Sequence, residues 1–157
     1  MPAPAAASGE GGPTVRMEDP EPADRAVAAT YDRWPDKGPP RDGWRLTLMS
    51  DRMTYAPGEE VRVIHVAEAV QPGFAVYVMG PKPVRGEEVD GRPATPPVAD
   101  DDDPFVPSNY DGVTLESPAV DTNYAVTVYA FPGGGDHDIR WRLRAVASNI
   151  LRIHVRD

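Results

Sequence analysis

The stretch ADDDDPFVPSNYDG, residues 99–112, gathers the hardest oxygen donors of the chain. Asp100, Asp101, Asp102, Asp103 and Asp111, with Asn109, are the residue types that calcium takes roughly six to eight at a time in flexible geometry. The D-x-D-x-D-G spacing of an EF-hand loop, with its closing Glu, is absent. Four successive Asp cannot all face one ion, and Pro104 stiffens the end of the run. Two readings stand: a solvated acidic loop, or calcium held by Asp100–Asp103 and Asp111. A second group, GGGDHD, sets Asp136, His137 and Asp138 in a turn. Zinc or manganese there would need a second imidazole, from His65 or His154. Otherwise Gly133–Gly135 serve the reversal and the polar side chains hydrate it.

Nucleophilic catalysis lacks its parts. There is no cysteine, so thiolate chemistry and disulfides are excluded. No serine occupies a Gly-x-Ser-x-Gly elbow, and Ser50, Ser108, Ser117 and Ser148 read as turn or strand-start residues. His65 sits in an apolar run and reads as a satisfied core or edge histidine rather than a base. Neither a Walker loop nor a dinucleotide fingerprint is present. The expectation is a noncatalytic protein with no cofactor beyond the candidate calcium.

The elements that position these residues fall into two blocks. The chain has 157 residues, 19 of them proline and 14 glycine, and a formal net charge of -9. Net acidity argues against general nucleic-acid or anionic-membrane binding. No run approaches the roughly 18–20 apolar residues of a bilayer span, and the first residues show neither basic start nor apolar core of a secretory signal. A cytoplasmic chain is expected. Residues 1–43 form a Pro-rich, mostly extended or disordered arm. Its one periodic stretch is DRAVAATYDRW, where a helix from Asp24 would place Val27, Tyr31 and Trp34 on one face. That face either packs on the domain or docks a partner.

From Trp44 the period changes to two. WRLTLM, VRVIHVAE, FAVYVMG, GVTLESP, NYAVTVYAF, IRWRLRAV and NILRIHV read as seven strands. Residues 81–109 interrupt them as a long acidic, Pro-rich loop. The expected fold is all-β: one antiparallel sandwich over 44–157. SDRMTYAPGEEVRV resembles the opening of bacterial immunoglobulin-like and macroglobulin-type domains, with a strand, a Tyr-x-Pro-Gly-Glu turn and a second strand. NYAVTVYAFPGGGDHDIRWRLRAVASNILRIHV is similar to their last three strands, including the Ser-Asn step into the final one. The resemblance implies an immunoglobulin-like sandwich; the Cys pair of antibody-type domains is absent, and Trp44 or Trp141 would fill the centre. Such domains host adhesion, partner binding, sugar binding and spacing, so fold alone names no function.

Alternation puts Ile139, Trp141 and Leu143 on one face of the penultimate strand, and Arg140, Arg142 and Arg144 on the other. The final strand likewise leaves Arg152, His154 and Arg156 opposite Leu151, Ile153 and Val155. As neighbours in a hairpin, the two strands merge these cations into one patch. Three readings stay open: an ordinary solvated face, a face neutralised by the chain's own acids, or a contact for an acidic partner. On the last reading the protein is an interaction or assembly module, with Arg140, Arg142, Arg144, Arg152 and Arg156 as contact and Val27, Tyr31 and Trp34 as docking segment. The alternatives are a ligand-binding sandwich, for calcium or for a glycan on exposed aromatics such as Tyr77, Tyr129 or Phe131, and an enzyme inhibitor acting through 81–109.

Overall fold

The computed structural model describes residues 12–105 and 113–157. It is a mostly β protein of two main, mostly antiparallel sheets that do not close into a barrel, with one short helix. All seven expected strands form: β2 (Trp44–Met49), β4 (Glu60–Ala69), β5 (Ala75–Val78), β8 (Val113–Glu116), β10 (Val126–Ala130), β11 (Gly135–Leu143) and β13 (Leu151–Val155). Six short strands join them: β1 (Thr14–Glu18), β3 (Thr54–Tyr55), β6 (Glu87–Val89), β7 (Arg92–Pro93), β9 (Ala119–Asp121) and β12 (Val146–Ala147).

The first sheet runs β1-β10-β4-β2, with β9 on the far end of β4; the second runs β3-β13-β11-β6-β7. A separate ribbon pairs β5 with β8. After β2 the chain crosses at Ser50–Met53 to the opposite sheet, where β3 pairs in parallel with β13. Between the sheets lie Leu46, Leu48, Val61, Val63, Ile139, Trp141, Leu151 and Ile153, all fully buried. Trp141 takes the central place; Trp44 stands at the margin, stacked on Phe105 at 4.0 Å.

Residues 12–43 are part of this architecture. β1 extends the first sheet along β10, from Thr14 opposite Ala130 to Glu18 opposite Val126. Helix α1 (Pro22–Ala28) and a 3-10 turn (Tyr31–Arg33) then cross the outer face of that sheet. Pro22 at the first helical position and a reciprocal box between Glu21 and Asp24 start the helix, so it begins earlier than the expected start at Asp24. Tyr31 is buried against Met49, Ile64 and Val66, with Val27 and Trp34 beside it. This explains why VRVIHVA lacks clean alternation: β4 is buried on both faces, inward by the second sheet and outward by the arm.

The 81–109 segment is shorter in irregular backbone than expected. Within it, β6 and β7 form a hairpin closed by Asp90 and Gly91, whose φ of 52° and 81° meet the need of a type I′ turn for two positive φ values. β6 then pairs with β11, so this stretch supplies a strand of the second sheet.

The Ser-Asn step becomes a bulge. Arg142 faces Ala147 but Ile139 faces Leu151, so β12–β13 spends one residue more than β11 between these pairs. Ser148 closes it by accepting from the Trp141 amide at 2.9 Å. Asn149 turns inward; its Oδ1 accepts from the Leu48 amide at 2.7 Å and its Nδ2 donates to the Leu48 carbonyl at 3.2 Å. The side-chain amide thus stands in for a neighbouring strand on β2. Asn149→Ala leaves both buried backbone groups unpaired and is expected to cost about 1–2 kcal/mol. Urea denaturation measures this, and a midpoint equal to wild type would remove the clamp.

Candidate functional site

β11 and β13 carry the predicted arginines as the alternation requires. Arg140, Arg142 and Arg152 point away from the core, and Arg156 continues the line just past β13. Arg144 does not. It occupies the two-residue turn between β11 and β12 at φ 57°, and its guanidinium turns back to donate to the carbonyls of Ala99 at 3.0 Å, Asp100 at 3.3 Å and Asp102. Arg144 therefore ties down the acidic loop through its backbone.

The rest of the face is partly neutralised by register. Asp138 lies opposite Arg152 and accepts from it twice, at 2.8 and 3.1 Å. The Arg152 guanidinium holds the Asp138 carboxyl below its ordinary range. Asp136 lies opposite His154 and meets its Nδ1 at 2.6 Å. Glu88 is the register partner of Arg140. Among the described residues, Arg140, Arg142 and Arg156 make no ion pair within 4.0 Å. Four arginines, Arg140, Arg142, Arg152 and Arg156, stand along this hairpin with Asp136, Asp138 and Glu88, on a chain whose overall charge is -9.

The docking segment is used inside the chain. Tyr31 is 5% exposed and donates to Glu68 at 2.5 Å; burial, then that hydrogen bond, push its hydroxyl up to about 12. Tyr31 is buried against the first sheet, and Val27 and Trp34 pack half-buried beside it.

The metal candidates that lie among the described residues do not converge. Among the described residues, no group of three or more His, Asp or Glu side chains comes together as a metal site. Asp100–Asp103 follow the course of the loop, with Asp103 Oδ1 capping the Phe105 amide at 2.9 Å. Asp111, with Asn109, lies outside the described residues. GGGDHD is mostly strand: β11 starts at Gly135, so Asp136 and Asp138 point outward and His137 inward. His137 stacks on Phe131 at 4.1 Å and meets Asp90 at 2.7 Å, on the opposite face of the sheet from His154. The three histidines thus occupy three separate environments.

His65 has a partner that its apolar run concealed. It faces inward from β4 and binds Glu87 of β6 through Nε2. The other oxygen of Glu87 accepts from Thr127 and from Tyr129, both on β10 and both at 2.5 Å. Burial and the adjoining carboxylate push the Tyr129 hydroxyl far up, so it remains a donor. His65 and Glu87 have no exposed side-chain surface, and Trp141 packs edge-on against the imidazole at 4.9 Å. The His–Glu–Tyr constellation is fully buried. Its position between the sheets makes it a cross-sheet clamp.

Two concavities flank the acidic loop. One, of about 320 Å³, lies between loop 79–86 and loop 98–104 and is lined by Lys82, Arg85, Asp102 and Asp103. The other, of about 370 Å³, lies on the far side of Pro104, beside Trp44 and Phe105. Of the aromatics considered for a sugar platform, Tyr129 and Phe131 are buried and Tyr77 on β5 is half-buried. Sequence reading missed Glu87, Asn149 and Lys82; the Asp90-Gly91 pair was the available signal for the strand that carries Glu87.

Compared with known proteins, the chain matches no family model, no curated sequence and no solved structure. The functional reading therefore rests on its own geometry.

Proposed function

We propose that this chain is a noncatalytic protein-interaction module, built on an immunoglobulin-like sandwich, that meets an acidic partner surface through the outer face of β11 and β13. Strand order supports the fold assignment: β2-β4-β10 against β3-β13-β11-β6-β7, with the chain switching sheets between β2 and β3, follows the immunoglobulin pattern. β1 occupies the place beside β10 that a mid-domain strand takes in that pattern.

The observation that carries the functional reading is Arg140 and Arg142, two residues apart on the outer face of β11, with Arg156 beyond the other end of the hairpin; none of the three makes an ion pair among the described residues. Arg152 is shared with Asp138 and Arg144 is committed to the loop, so these two shape the surface rather than lead the contact. Planar guanidinium forks suit carboxylates, and a sheet holds them in place at small entropic cost.

An Arg140→Glu, Arg142→Glu double variant with an unchanged melting curve tests this. Wild type is expected to be retained on immobilised polyglutamate and released as salt rises, because exposed charges are screened over about 10 Å at 0.1 M salt. The variant is expected to pass through. Equal retention of both proteins, or retention insensitive to salt, would remove the arginine face from the account.

A further inference from the structure

The cleft beside the acidic loop carries charge of both signs, delivered by two different loops. Loop 79–86 brings Lys82 and Arg85; loop 98–104 brings Asp102 and Asp103. Met79, Pro81, Pro83, Val98 and Pro104 supply apolar walls between them. Its volume, about 320 Å³, lies at the small end of the range for small-molecule sites.

Lys82 is a built element of this cleft. It is 8% exposed, its Nζ lies 2.7 Å from the buried Asp121 carboxylate, and it donates to the Tyr77 carbonyl at 3.0 Å. The ring of Tyr124 lies beneath the ammonium at 4.4 Å. Held on these sides, the Lys82 side chain is fixed at the wall of the cleft. The backbone of Arg85 is fixed by the Trp141 indole, which donates to its carbonyl at 3.0 Å. Among the described residues the Arg85 guanidinium, the Asp102 carboxylate and the Asp103 carboxylate make no ion pair. A metal cation would meet Lys82 and Arg85 as well as the acids, and a simple anion would meet Asp102 and Asp103. A molecule carrying both charges on a short apolar skeleton matches all four.

We propose that this cleft binds a zwitterionic small molecule of the α-amino-acid class, its carboxylate on Lys82 and Arg85 and its ammonium on Asp102 and Asp103. This site is independent of the arginine face on β11 and β13.

Titration calorimetry and melting curves with a panel of free L-amino acids bearing apolar side chains test it, each run beside its N-acetyl and its amide derivative. At least one free amino acid is expected to release heat and raise the melting temperature at millimolar concentration, as a ligand of the native state must. Blocking either charged end is expected to weaken binding about tenfold or more, the scale of one lost charged hydrogen bond. Arg85→Ala should reduce the preference for the free acid over the amide, Lys82 remaining. Asp103→Asn should reduce the preference for the free amine over the N-acetyl form, Asp102 remaining. Both positions are exposed, so the fold is expected to survive either change. A silent panel overturns the proposal, as does binding indifferent to the blocked ends or to both substitutions.

Discussion

Replacing Glu87 with alanine is expected to destabilise the domain by about 3–5 kcal/mol, the scale on which removing one partner of a buried charged network is felt. Three donors from the first sheet converge on this one carboxylate of the second: His65 Nε2, the Thr127 hydroxyl and the Tyr129 hydroxyl. None of them has water to turn to, since His65, Thr127 and Tyr129 are all at most 1% exposed. Alanine would orphan all three and leave a void next to Trp141. Glu87→Gln is expected to lose less, because its amide oxygen still accepts from Thr127 and Tyr129. For a domain of this size the alanine variant should melt roughly 6–20 °C lower. Urea denaturation at unchanged slope gives the free energy directly; a loss below about 1 kcal/mol would mean that apolar packing alone joins the sheets.

The second large effect is expected at Arg62, on the outer face of β4. Its guanidinium donates to Asp24 at 3.0 Å and to Glu18 at 2.8 Å, so one side chain fastens both α1 and β1. Asp24 is 4% exposed and would be left buried without this partner. Arg62→Ala is expected to cost about 2–3 kcal/mol, between the worth of an exposed pair and that of a sealed one. The loss should be local. Amide protection in β1 and protease resistance around α1 are expected to fall while the Trp141 core keeps its protection. Equal loss of protection throughout would show that arm and sandwich unfold as one unit.

Acidification should act at the same place. Hydrogen bonds from Arg62, then Arg16, hold the Glu18 carboxyl below its ordinary value. A folded pKa below the unfolded one contributes stability above the unfolded value and loses it as pH falls through the folded value. Protection of β1 is therefore expected to weaken from about pH 4 downward and to be level between pH 5 and 7. Arg62→Ala should remove most of that pH dependence.

How much of this was legible in the residues can be argued strand by strand. WRLTLM and NILRIHV show alternation because one rule, side chains to opposite faces, governs each strand by itself. The same rule placed Arg140, Arg142 and Arg152 outward. It failed at Arg144, since a positive φ in a two-residue turn carries the side chain off the strand's face. The 81–109 segment read as a loop because β6 is only three residues long and two of them are glutamates. Glu87 looks like a surface residue in sequence. It is a core residue because His65, Thr127 and Tyr129, from 22 to 42 positions away, supply its partners.

The sequence by itself determined the β class, the seven principal strands, the outward line of arginines and the absence of cysteine chemistry. These follow from local period, turn residues and composition, which act within a few residues. Tertiary structure alone decided that Val27, Tyr31 and Trp34 cover the chain's own sheet, that Asp138 answers Arg152, and that Lys82 and Arg85 share a cleft with Asp102 and Asp103. Each is a meeting of side chains from separate elements, fixed by sheet pairing and register, and no local pattern encodes such a meeting.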